Sequence, residues 1–219
     1  MDKNTAKIHL PFSVPVMEFT LEMPYVDMLN TYADKITADE KKSKELDWSK
    51  NLVGNVKQEH AIEEEVWMQT PQGTNTTLLE YMNTIANAYM DQCYGGIPNE
   101  PYGYRNKTPR PDAKQLMVNT SWIVNQYAGD FNPPHMHYGH LSVAGWLSVP
   151  DSITNNEERK EAGWFEFHHG SPQFLLDTKY PIKPRVGAFV MFPSWLQHTV
   201  YPFRGDGLRR SMSFNYILK

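Results

Sequence analysis

The sequence predicts a mainly β protein, an antiparallel sandwich or jelly roll, preceded by a helical first part. Three observations carry this. Short apolar runs crowd the second half, separated by the turn formers Pro150-Asp151, Gly170-Ser171-Pro172, Pro193-Ser194 and Gly205-Asp206-Gly207. The chain holds 6 Trp, 12 Tyr, 10 Phe and 16 Pro, a mixture that favours strands joined by shaped loops over a helical bundle. Helical periodicity is confined to the first half.

Taken in order, residues 8–22 (IHLPFSVPVMEFTLE) read as extended, with prolines that suit an edge strand. A helical stripe follows Pro24: Tyr25, Met28, Leu29, Tyr32, Ile36. It fades into the charged run DEKKSKELD, a solvated face or loop. A second helix opens on a capping box, Thr77 to Glu80. It carries Leu78, Met82, Ile85, Tyr89 and Cys93 on one stripe and stops at Gly95-Gly96. Neither stripe stays soluble alone, so both helices are expected to pack on a sheet. Residues 97–111 form a proline-rich connection. The strands then expected are 116–127, 141–149, 163–169, 173–176 (QFLL), 187–192, 197–203 and 208–218. The polar insertion 151–162 is expected to be a mobile lid. The whole chain, 1–219, is expected to be one domain, with 1–111 supporting a β core over 112–219.

The 219 residues are 40% apolar and 21% charged, with a net charge of −4 and both signs scattered. That is a soluble globular composition without the basic face a nucleic-acid partner needs. One cysteine, Cys93, rules out an intrachain disulfide framework and fits a reducing compartment. No apolar run approaches the roughly 18 residues of a membrane span, and the first 15 residues show no secretory signal. A cytoplasmic protein without nucleic-acid or membrane partners is expected. The oligomeric state is open, and a homodimer is compatible.

Chemistry concentrates in FNPPHMHYGH, residues 131–140, with three of the eight histidines. On a strand, His135 and His137 point the same way and can converge on one ion. His168, His169 and His198 are the candidates for a third ligand, and His198, where a late strand begins, stands out. With His135 and His137 it makes a three-point facial set with open positions, the arrangement of non-haem iron oxygenases. Eleven residues beyond His198, Arg209 and Ser211 share a strand face with Ser213 and Asn215, while Arg210 and Met212 share the other. An inward Arg-x-Ser pair can hold a carboxylate. The alternative leaves both arginines on the surface, one pairing with Asp206.

These pieces resemble the 2-oxoglutarate- and Fe(II)-dependent dioxygenase superfamily over about residues 119–216. The matching blocks are Ser121-Trp122 through Asn125, Asn132 through His137, Leu141-Ser142, Gly187 through Ser194-Trp195 leading to His198, and Arg209-x-Ser211 through Phe214-Asn215. The resemblance implies a double-stranded β-helix, a cupin-like jelly roll. It implies His135 and His198 as iron ligands, and places His137 where the superfamily usually has Asp or Glu. It implies that Arg209 and Ser211 bind the distal carboxylate of 2-oxoglutarate, with Asn125 and Tyr127 also in the cosubstrate site.

Fe²⁺ and the cosubstrate 2-oxoglutarate are therefore the expected cofactors. The expected activity is hydroxylation of a peptidyl or amino-acid side chain of a protein or amino-acid substrate. Two alternatives remain at this stage. One is a non-catalytic jelly-roll binding or structural module; the other is a three-histidine, cupin-type dioxygenase that uses no 2-oxo acid. Three imidazoles would also suit Zn²⁺ or Ni²⁺.

Overall fold

The computed structural model describes residues 14–95, 116–155 and 161–218. In chain order the elements are β1 (Met17–Thr20), α1 (Met23–Ala38), α2 (Glu40–Glu45), β2 (Gln58–Ala61), α3 (Glu64–Trp67), α4 (Leu78–Gly95) and β3 (Leu116–Gln126). Then come β4 (Asn132–His135), β5 (Leu141–Ser148), α5 (Asp151–Thr154), β6 (Phe165–His168), β7 (Lys179–Ile182), β8 (Ala188–Pro193), β9 (Gln197–Val200) and β10 (Arg209–Leu218). The strands form two antiparallel sheets. The larger has the order β1-β8-β5-β10-β3-β2 and the smaller β4-β9-β6-β7.

Alternation along the central strands sorts side chains into two cores. In β8, Phe189 and Met191 join Val143, Met212 and Phe214 beneath the helices. Val190 and Phe192 point the other way, to Trp146, Phe165, Phe167 and Val200 between the sheets. Strands covered on both faces read as nearly continuous apolar runs, as AFVMF does. Helices α1 and α4 cover the outer face with Tyr25, Leu29, Leu78, Met82 and Tyr89. The expected capping box forms: the Thr77 backbone N–H donates to Glu80 Oε2 at 2.8 Å, and the Glu80 N–H to Thr77 Oγ1 at 3.2 Å. The charged run becomes the short helix α2, with no buried residue.

Two expectations change, and one alternative is excluded. QFLL is not a strand: Gln173 and Leu176 form a single bridge around Leu175, whose φ of 64° takes the chain through a tight turn. The strand beside β6 is β7 instead. The insertion at 151 does not begin as a loose lid, because α5 anchors it through Ile153, buried against Ala162 and Phe203. Arg210 does not pair with Asp206 but with Asp34 of α1, at 2.7 Å. The proline-rich connection 97–111 and residues 156–160 lie outside the described residues. Among those described, no helix is long and apolar enough to cross a membrane.

Candidate metal centre and cosubstrate pocket

The site lies between the sheets. Strand β4 pairs with β9 so that His135 and His198 are direct antiparallel partners. Partners across a ladder share a face, and here it is the inner one. His137 lies two residues beyond β4, where its backbone N–H donates to Ser194 O at 2.9 Å. The three rings converge, with centroids 4.3 Å (His135–His198), 4.8 Å (His137–His198) and 5.1 Å (His135–His137) apart. One nitrogen of each lies within 4.8 Å of the others.

Each Nδ1 is engaged away from the cluster. That of His135 donates to Pro133 O at 2.7 Å and that of His198 to Leu196 O at 2.9 Å. His137 Nδ1 faces Asn215 Oδ1 at 3.0 Å and Ser142 Oγ at 3.2 Å. A carbonyl oxygen only accepts, so Nδ1 carries the proton and each Nε2 keeps its lone pair. Burial lowers the pKa of all three below the ordinary histidine value, that of His137 to about 4. The walls are apolar: Phe165 stacks on His198 at 5.0 Å and Trp122 meets His137 edge-on at 5.4 Å. The cavity has an empty volume of about 550 Å³, counting solvent at its mouth.

The same cavity is lined by Arg209, Ser211, Gln126 and Trp146. Register explains this. Arg209 is opposite Gln126, and Ser211 is flanked by Val124 on one side and Trp146 on the other. The Arg209 side chain is fully buried and meets no carboxylate among the described residues. It donates to Gly163 O at 3.1 Å and to Gln126 Oε1, and its guanidinium sits 5.8 Å from the Trp146 ring centre. Burial pushes its pKa down to about 9, which leaves it a cation at neutral pH. The Gln126 amide nitrogen and the Trp146 indole nitrogen are buried donors without an acceptor. A buried cation with two idle donors beside it is built for an anion.

The expected site residues do not all gather here. Asn125 lies on the opposite face of β3, where its side chain accepts from Arg210 Nε at 2.8 Å and donates to Gln58 Oε1 at 3.3 Å. Tyr127, 43% exposed, follows the end of β3 and does not line the cavity. Gln126 and Trp146 were missed, although they sit on strands matched by the resemblance. The other histidines among the described residues take structural places: His60 on Ser43, His140 accepting from the Leu218 N–H, His168 beside Glu166, and His169 against Trp195.

Fold and site together define a jelly-roll protein with a histidine cluster suited to a metal ion and a buried cation lining one cavity. Residues 120–215 match the family described as "Putative 2OG-Fe(II) oxygenase", so this part of the chain is similar to the 2-oxoglutarate/Fe(II)-dependent oxygenases, a class of enzymes. A search of the curated proteins found no match. Among solved structures, a Pseudomonas putida prolyl-4-hydroxylase has a TM-score of 0.56 at 13% identity, over 94% of each chain. A viral collagen prolyl hydroxylase from Paramecium Bursaria Chlorella virus-1 has 0.51 at 12%, over 93% of this chain and 96% of that one. The α-ketoglutarate-dependent epimerase SnoN of nogalamycin biosynthesis has 0.56 at 16%, over 93% and 78%. These likenesses speak to the fold. The chain's own donor set fits the family's cofactors: three uncharged imidazoles suit Fe²⁺, and Arg209 suits a carboxylate.

Proposed function

We propose that the protein is a 2-oxoglutarate-dependent oxygenase that hydroxylates a peptidyl or amino-acid side chain. His135, His137 and His198 would hold Fe²⁺ through their Nε2 atoms. Arg209 and Ser211 would take the distal carboxylate of 2-oxoglutarate. The observation that carries this reading is the buried Arg209, without a counter-ion among the described residues, in the same cavity as three imidazoles whose Nε2 atoms are free. A structural jelly roll has no use for such a cation.

When bound, iron and the 2-oxo acid supply the oxidising chemistry; the protein supplies binding, orientation and a dry pocket. Arg209 fixes the far end of the acid and so sets how its keto end faces the histidines. Phe165, Trp122 and Val200 keep water from the reacting end. Phe131, Met136, Tyr138 and Trp195 are exposed side chains on or beside the histidine-bearing segments. An exposed aromatic and thioether surface near these segments suits contact with a peptide that presents the side chain. Prolyl hydroxylases, with the same fold, act on such groups.

The test is anaerobic addition of Fe²⁺ and 2-oxoglutarate, which should produce the weak visible charge-transfer band of the chelate. Succinate should form on admitting O₂. A protein that gives no band and consumes no 2-oxoglutarate is not this enzyme. His137, in the place of the usual carboxylate, favours a second reading: a three-histidine dioxygenase that needs no 2-oxo acid. Oxygen uptake with substrate and Fe²⁺ but independent of 2-oxoglutarate would select it.

A further inference from the structure

Three residues within the matched blocks have no part in the reading above: Ser142, Ser194 and Asn215. All three are buried, and the structure joins them in one chain that ends on the third histidine. Ser194 Oγ lies 2.9 Å from Ser142 Oγ, and Ser142 Oγ lies 2.7 Å from Asn215 Oδ1. Both Asn215 Oδ1 and Ser142 Oγ reach His137 Nδ1. Asn215 Nδ2 donates to Thr120 Oγ1 at 3.0 Å on the far side.

We infer that Asn215, braced by Ser142, Ser194 and Thr120, is the positioning residue that makes His137 a ligand. The inference rests on the proposal that the three histidines bind the metal. Its ground is a difference within the cluster. His135 and His198 are each oriented by a backbone carbonyl two residues earlier, so their tautomer comes with the local chain path. His137 has no such carbonyl. Its Nδ1 meets only side chains, from β5 and β10, and β10 lies 78 residues away. The Thr120 contact turns the Asn215 amide so that its oxygen faces the ring. That oxygen accepts the Nδ1 proton, and Nε2 is left with its lone pair toward the other two histidines. Because the acceptor is an amide and not a carboxylate, the ligand set stays uncharged.

The test uses Co²⁺ titration of the full chain, followed by affinity and by the visible d–d bands of the bound ion. Asn215→Leu, which removes the acceptor, should weaken Co²⁺ binding by about 10- to 100-fold and alter the bands. Ser142→Ala should shift affinity in the same direction by less. Asn215→Asp should restore affinity to the wild-type level or above, because it accepts the same bond. In a His137→Ala background, Asn215→Leu should have no further effect, since its partner is gone. The inference is overturned if Asn215→Leu leaves affinity unchanged, or weakens it equally with and without His137. If Asn215→Leu does not fold, Ser142→Ala and Asn215→Asp decide by the same criteria. If His137→Ala binds Co²⁺ as tightly as the wild type, the ligand assignment itself fails and takes the inference with it.

Discussion

His135 and His198 face each other as antiparallel partners on β4 and β9, ring centres 4.3 Å apart, each tied by Nδ1 to a carbonyl two residues upstream. The pair is thus built by the ladder itself. His198→Ala should abolish measurable Fe²⁺ or Co²⁺ binding, because it removes a buried ligand that nothing nearby replaces. Retained stoichiometric binding would refute the site. The control is the melting temperature, which metal should raise for the wild type and not for the variant.

Arg209 and Arg210 are adjacent but belong to different machinery. Arg209→Ala should reduce 2-oxoglutarate affinity by at least about 100-fold, since a bidentate charged contact is lost. Metal affinity should not change. Calorimetry with the acid and the metal separately checks both halves, and unchanged affinity for the acid defeats the assignment.

Arg210 is a structural cation. It is buried and holds Asp34, Asn30 and Asn125, tying α1 to the sheet. Arg210→Leu strands these partners and should cost about 2–4 kcal/mol, read by urea denaturation. A cost under about 0.5 kcal/mol would show that helix docking does not depend on it.

The stability of the metal-free protein should carry two opposed pH dependences. On the acid side the histidines carry the effect. Their folded pKa values are depressed, so the unfolded chain binds more protons as pH drops below about 6.5. For His137 the loss runs down to about 4. Glu59 acts in the opposite direction: it is buried, neither carboxylate oxygen has a partner, and its pKa is raised to about 8. The folded chain holds that proton where the unfolded chain has released it, so stability falls as pH rises from about 4.3 toward 8. Glu59→Gln should therefore raise the melting temperature more at pH 8 than at pH 5. An equal shift at both values would contradict the buried, protonated acid.

The capping box of α4 gives a smaller check. Thr77→Ala should cost about 1 kcal/mol, the usual loss for a capping hydroxyl, without altering metal binding.

Much of this protein is legible along the chain. The β10 alternation sends Arg209 and Ser211 one way and Arg210 the other, as a period of two requires, and Thr77 to Glu80 marks the start of α4. Asn125 was misplaced for a definite reason. In SWIVNQ both parities are apolar, because β3 is covered on both faces, so periodicity cannot say whether Asn125 or Gln126 points inward. The pairing of Arg209 with Gln126 decides it. The strand β2, QEHA, was missed because a short polar edge segment carries no apolar pattern.

By itself, the sequence determined the two-part organisation, the histidine-x-histidine turn, the distant third histidine and the Arg-x-Ser pair, since local spacing and residue chemistry suffice for each. Only the tertiary structure decided which neighbours serve them: Gln126 and Trp146 beside Arg209, and Asn215 behind His137. Those contacts join residues up to 83 apart in the chain, and they depend on ladder register. A one-residue slip in register would turn every one of those side chains to the other face.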